Sequence, residues 1–345
     1  MLRAKEKDSV QKASKIGSIA FLVLLLASAS LAVYAEIQVS VTIRDPTNAS
    51  NGAKGVISGS YWVGEIPITV SNATVPSQQT KAYCMNYDRT LNIGNTYPAQ
   101  ATPVTDNAAW RSISYILTWY NPPADNNAAA ANQVAIWKLL TSPYVKPSWL
   151  LQSCDDAGTN LANIAKGKDV VRQGDDLSWI APKTGDDIAV TGNPGDVINL
   201  KVKLTSANGP RANVKIIFCA TIVPANTPLV SPYLNPSETF TDSNGEAAVS
   251  VTVPSNIQNG ESIEVKASTK SVWPQLYLDL NDDARQDLIG IDTTFELTVR
   301  TNVCVIAHIL VVPEVPLGTL TAGAACAFAF VFYTKGGRLK KQKIK

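Results

Sequence analysis

The sequence predicts a mainly β protein with a helical subdomain: a β-rich N-terminal domain followed by an Ig-like β-sandwich. Three observations predict it. After residue 36 the chain alternates, with Ile37, Val39, Val41 and Ile43 interleaved with Gln38, Ser40 and Thr42, the period of a half-buried strand. The texture then turns helical at AWRSISYILTWY (109–120) and DNNAAAANQVAIWKLLT (125–141). Beyond TGNPGD (191–196) it alternates again through VINLKVKL, NVKIIFCATIV, GEAAVSVTV, ESIEVKAS and TFELTVR, with turns such as DSNG (242–245) and no helical stretch between.

Taken in order, residues 1–35 read as a secretory signal. Arg3, Lys5, Lys7, Lys12 and Lys15 precede the apolar run IGSIAFLVLLLASASLA, and small residues at Val33 and Ala35 place cleavage after Ala35. The first domain (36–180) continues with short strands around 59–63, 66–71 and 80–87. Helices follow over 109–120, over 125–141 with Asp125 as N-cap, and over 155–167. The sandwich occupies 191–301 and a stalk 302–316. LGTLTAGAACAFAFVFY (317–333) is apolar and uncharged, at the short end of what spans a bilayer as a helix. The tail 334–345 is basic, which places it on the cytoplasmic side and the domains outside a plasma membrane.

Without leader and tail, 19 basic residues face 26 acidic ones, a balance that argues against nucleic-acid binding. Asn48-Ala-Ser and Asn72-Ala-Thr are glycosylation sequons, as an outside location allows. The single histidine, His308, lies beyond both domains, so a Cys-His or Ser-His-Asp hydrolase has no histidine to use there. DLNDDARQD (279–287) spaces Asp279, Asn281 and Asp283 like a calcium loop. Ala284 and Gly290 stand where glycine and glutamate are needed, so a polar turn is expected and no metal or cofactor. Four cysteines fall outside the apolar segment: Cys84, Cys154, Cys219 and Cys304. Cys219 and Cys304, both in or beside strands of the sandwich, are the expected disulfide; Cys84 with Cys154 is the alternative fate of Cys84.

AYCMNYDRT (82–90) and SISYILTWYNPPADNNAAAANQVAIWKLL (112–140) together resemble the thioester domains of Gram-positive surface adhesins. Tyr83-Cys84 matches the family's aromatic-Cys motif, and Asn132-Gln133-Val134-Ala135-Ile136-Trp137 matches its TQxA-type motif, with Asn132 replacing the usual threonine. The resemblance implies that the Cys84 sulfur joins the Gln133 side-chain carbonyl as a thioester, with Tyr83 and Trp137 excluding water. It further implies a covalent adhesin whose partner is an amine-bearing protein or surface ligand, in one turnover rather than by catalysis. TFTDSNGEAAVSVTVP (239–254) resembles invasin-like Ig-like modules, which implies a spacer. PEVPLGT with the apolar stretch and basic tail resembles the sorting signals of archaeal surface proteins processed by archaeosortase-like enzymes. The competing expectation is a structural cell-envelope or surface-layer glycoprotein with a Cys84–Cys154 disulfide and no thioester.

Overall fold

Alternation at the start of the chain becomes strand β1 (Ile37–Ile43), with Val39, Val41 and Ile43 buried and the intervening side chains turned outward. The computed structural model describes residues 37–306 apart from 73–75, 90, 182–188, 224, 259–260, 281–285 and 291–295. For 189–191 and 296–306 it describes the backbone. The leader, the stalk beyond residue 306, the 317–333 stretch, the tail and His308 lie outside the described residues. Among the described residues, no helix is long and apolar enough to cross a membrane.

β1 pairs with β4 (Ile66–Ser71) on one side and β6 (Thr96–Pro103) on the other, and β4 pairs with β5 (Gln78–Cys84). The gap between β5 and β6 is filled from far downstream. The hairpin β17 (Gln275–Asp279) and β18 (Leu288–Gly290) pairs with β6 through β17 and with β5 through β18, closing a six-stranded barrel. A separate ribbon, β2 (Gly55–Ser58) with β3 (Tyr61–Gly64), lies against the helices.

The second unit is a sandwich of two sheets. One contains β9 (Val197–Ser206), flanked by β7 (Asp176–Ala181) and β15 (Glu246–Thr252), with the short β10 (Gly209–Pro210) and β13 (Leu234–Asn235) at its margins. The other runs β12 (Thr227–Leu229), β11 (Lys215–Val223), β16 (Ser262–Val272), β19 (Glu296–Ile306) and β8 (Ala189–Thr191), with β14 (Glu238–Phe240) also on β11. Leu200, Val202, Leu204, Ile216, Phe218 and Val265 fill the space between the sheets, each stabilising by roughly 1.5–3 kcal/mol through loss of apolar surface to water. Dividing the chain at 180 and 191 therefore misassigns two pieces. The β17–β18 hairpin, inside the stretch given to the sandwich, belongs to the barrel, and β7, inside the stretch given to the first domain, belongs to the sandwich.

Three helices cover the barrel. In α1 (Ala108–Trp119), Asn107 Oδ1 accepts from the Trp110 N–H at 3.1 Å; in α2 (Asn126–Leu140), Asp125 Oδ1 accepts from the Ala128 N–H at 2.8 Å, the expected cap. α3 (Gln152–Ala165) starts three residues earlier than its sequence pattern suggests. The middle of α2 is buried all round, from Asn132 to Trp137 without a break. α3 approaches it at Gly158, where an added Cβ would lie 2.5 Å from the Val134 side chain. An ion-pair group ties the helices to the sandwich. Arg172 reaches Asp106 at 2.8 Å and Asp169 at 3.0 Å, and Arg211 reaches Asp175 at 2.9 Å.

The expected Cys219–Cys304 disulfide does not fit this topology. Cys219 on β11 is paired with Lys266 of β16, and Cys304 on β19 with Glu264 of the same strand. With β16 between them, their Cα atoms are two strand spacings apart across the sheet, about 9.6 Å, and offset by two residues along β16 as well, whereas a disulfide requires less than about 7 Å. Cys219 is free and exposed.

Candidate functional site

Cys84 is the last residue of β5, and the register explains what surrounds it. It stands opposite Leu288 of β18, while the Met85 N–H donates to Asp287 O at 2.9 Å, so the N–H and C=O of Cys84 itself point away from β18. On that other side, pairing with β4 stops at Ala82. Two buried backbone groups are thus left where the neighbouring strand has peeled away, and such groups need partners.

Gln133 provides them. The Cys84 N–H donates to Gln133 Oε1 at 2.8 Å, and Gln133 Nε2 donates to Cys84 O at 2.7 Å. One carboxamide replaces a strand neighbour, gripping Cys84 at two points. Trp137, one turn further along α2, donates its indole N–H to the same Cys84 O at 3.1 Å. Gln133 is 1% exposed and Cys84 8%. Residues 49 positions apart are thus held together by two hydrogen bonds, although glutamine on a helix is ordinarily solvated.

The flanking residues hold the pair in place. Tyr83 is fully buried on the opposite face of β5, and Asn132 Nδ2 donates to its hydroxyl and to Tyr120 O, both at 3.1 Å. Asn132 thus ties the end of α1, the strand bearing Cys84 and the helix bearing Gln133 together. Trp137 packs edge-on to Trp149 and Tyr87, with ring centroids 6.2 and 6.1 Å away. These rings, with Tyr61 and Trp62, wall a cleft of about 460 Å³ that reaches Cys84.

Burial pushes the Cys84 thiol well above its ordinary value, and burial does the same to the Tyr83 phenol. In its free form Cys84 is therefore held as a neutral thiol. Cys154, also buried and free, lies in the same apolar cluster as Cys84, so the alternative Cys84–Cys154 disulfide is not formed. Asn48 is exposed and Asn72 half-buried. Of the calcium-like loop, 279–280 and 286–287 are described, and no group of metal-ligating side chains occurs among the described residues.

Sequence reasoning missed Gln286. It borders the cleft, is 6% exposed, and donates from Nε2 to Asn86 O and to Arg89 O, the latter at 2.7 Å, fixing the segment after Cys84. It sits about two hundred positions from those partners, and no local pattern signals such a pairing.

No family model matches the chain, and no curated protein matches it. Among solved structures it is similar to the Bacillus anthracis TIE protein, at TM-score 0.29 and 13% identity, over 73% of this chain and 47% of that one. It is also similar to the thioester domain of the Enterococcus faecium TIE86 protein, at TM-score 0.29 and 12% identity, over 77% and 94%. The D00-D0 domain of intimin matches at TM-score 0.21 and 16% identity, over 41% and 51%. The chain spans about half the length of the Bacillus anthracis structure. None of these likenesses fixes an activity.

Proposed function

We propose that this chain is a cell-surface adhesin that couples covalently to amines through an internal thioester between Cys84 and Gln133. The observation that carries the proposal is the two-point grip of the Gln133 carboxamide on the backbone of Cys84, beside a buried thiol and an aromatic cleft.

The proposal involves two chemical steps. In the first, Cys84 Sγ attacks Cδ of Gln133, the C–Nε2 bond breaks, and the thiol proton leaves with the nitrogen as ammonia. Charge developing on Oε1 meets the Cys84 N–H, already 2.8 Å away, in the manner of an oxyanion hole. Because burial keeps the thiol protonated, its proton moves with the attack rather than before it. Holding sulfur and amide in one place supplies the effective concentration that a free thiol and amide lack. In the second step a primary amine attacks the same carbon, the C–S bond breaks, and an amide forms at Gln133 while the displaced proton restores the Cys84 thiol. The event happens once per molecule, so it is covalent binding and not catalysis.

The leader pattern, the apolar 317–333 stretch and the basic tail support placing the domains outside a membrane, with the sandwich as spacer. The test is site-specific labelling. Protein treated with isotopically labelled methylamine should carry the label at Gln133, and Cys84 should become alkylatable only after that treatment. Label distributed over other glutamines, or a Cys84 equally alkylatable beforehand, would overturn the proposal.

A further inference from the structure

We infer that the cleft beside Cys84 selects a primary amine borne on an apolar arm, such as an alkylamine or arylalkylamine side chain set in an apolar protein segment. The inference deepens the thioester proposal by naming the class of amine. Only its covalent step depends on that proposal.

The cleft is built for such an arm. Its walls include Ile57, Tyr61, Trp62, Tyr87, Trp137 and Trp149, and of the described lining residues only Arg89 carries a charge. Its lip is apolar as well: Ile57 is 62% exposed, Ile93 56% and Tyr61 45%, a local concentration of large hydrophobic side chains facing water. Cys84 lines this cleft, so an occupant lies beside the residue whose backbone the Gln133 carboxamide holds.

A second observation points to the nitrogen. Gln286 is nine-tenths buried and borders the cleft, yet its Oε1 has no hydrogen-bond partner among the described residues, while its Nε2 is held by two carbonyls, which fixes the orientation of the amide. An unpaired buried acceptor is costly, and a small shift of the Gln286 side chain toward the cleft would offer it to an arriving amine N–H. Apolar walls also favour the neutral amine by desolvation, which frees the lone pair needed for attack, and the ring faces offset the loss of hydration of any charge that remains. A dicationic amine gains little here, because its second charge is desolvated without a partner.

Two measurements on the full-length protein test this. First, the Cys84→Ala variant, which cannot form a thioester, is titrated with methylamine, n-pentylamine, 2-phenylethylamine and cadaverine while tryptophan fluorescence is followed. n-Pentylamine and 2-phenylethylamine should bind tighter than methylamine by roughly tenfold or more, the effect of burying two or more extra methylenes, and tighter than cadaverine by a similar factor, the cost of desolvating its second charge. Replacing the exposed lip residues, Ile57→Ala with Tyr61→Ala, should shrink that gap without unfolding the protein. Second, rates of amine incorporation into the unsubstituted protein should follow the same order. Equal binding across the series, or tightest binding of cadaverine, would overturn the inference while leaving the thioester untouched. The predicted order of binding with no amine incorporated would instead sink the thioester and leave the cleft's selectivity standing.

Discussion

Replacing Gln133 by glutamate tests the grip on Cys84 and does so with a sign that cannot be confused. The comparison is made in a Cys84→Ala background, where the backbone groups at position 84 remain and no thioester can form. The carboxamide donates to one backbone carbonyl and accepts from one N–H, and it is 1% exposed. A carboxylate cannot donate, so one of its oxygens would face the carbonyl of residue 84 as acceptor against acceptor. A protonated carboxyl reproduces the amide's pattern. Holding a carboxyl of ordinary pKa neutral at pH 7 costs about 3.7 kcal/mol, which sets the size of the effect. The folded-state pKa is raised, so the variant keeps its stability below the unfolded pKa of about 4.3 and loses it as pH rises toward the folded value. Urea unfolding of Cys84→Ala with and without Gln133→Glu should give similar stabilities near pH 4. The gap should widen by about 1.4 kcal/mol per pH unit above that, toward the same ceiling at neutrality. A gap that does not change with pH would refute the grip. The same variant carries the carboxyl that hydrolysis of a thioester would leave, so its unfolding also reports the stability of spent protein.

Other changes follow from single contacts. Gly158→Ala places a Cβ 2.5 Å from Val134 and should cost about 1–3 kcal/mol by pushing α3 from α2, and Val134→Ala should recover part of it in thermal melts. Trp137→Phe replaces a buried indole with a smaller ring and removes the N–H on Cys84 O, which still accepts from Gln133. A loss of about 2 kcal/mol, roughly half from the hydrogen bond and half from lost apolar burial, is expected in chemical denaturation. Lys81→Met leaves the Glu65 carboxylate, 1% exposed, without its 2.9 Å ion pair and should cost about 3 kcal/mol, measured by the same method. A fragment ending at residue 181 lacks the β17–β18 hairpin and leaves β5 and β6 as open edges. It should show no cooperative unfolding transition, and a fragment that melts like the full chain would contradict the barrel closure.

Some of this architecture could be read locally. β1 announces itself by alternation, and α2 by Asp125 and its run of alanines, because caps and periodicity act over a few residues. The barrel could not be read this way. Its closing strand β18 is three residues long, too short for a period, and β17 looks like any sandwich strand until its partners are known. β6 holds Pro98 and Pro103, which weaken a strand pattern. The site divides likewise. Cys84 and Gln133 are marked by family-like motifs, yet the burial of Gln133 is invisible in a helix whose polar and apolar residues are both buried on every side. Gln286 acts on a turn from the far end of the chain, and only tertiary structure shows it.

Intact-mass measurement of the protein made in unmodified form, beside its Cys84→Ala variant, tests the central claim most directly. After correction for the substituted atoms, the unsubstituted protein should be lighter than its sequence by one ammonia and the variant should not. A protein that weighs what its sequence predicts, with a Cys84 thiol that titrates after unfolding in the absence of any amine, would contradict the bond between Cys84 and Gln133.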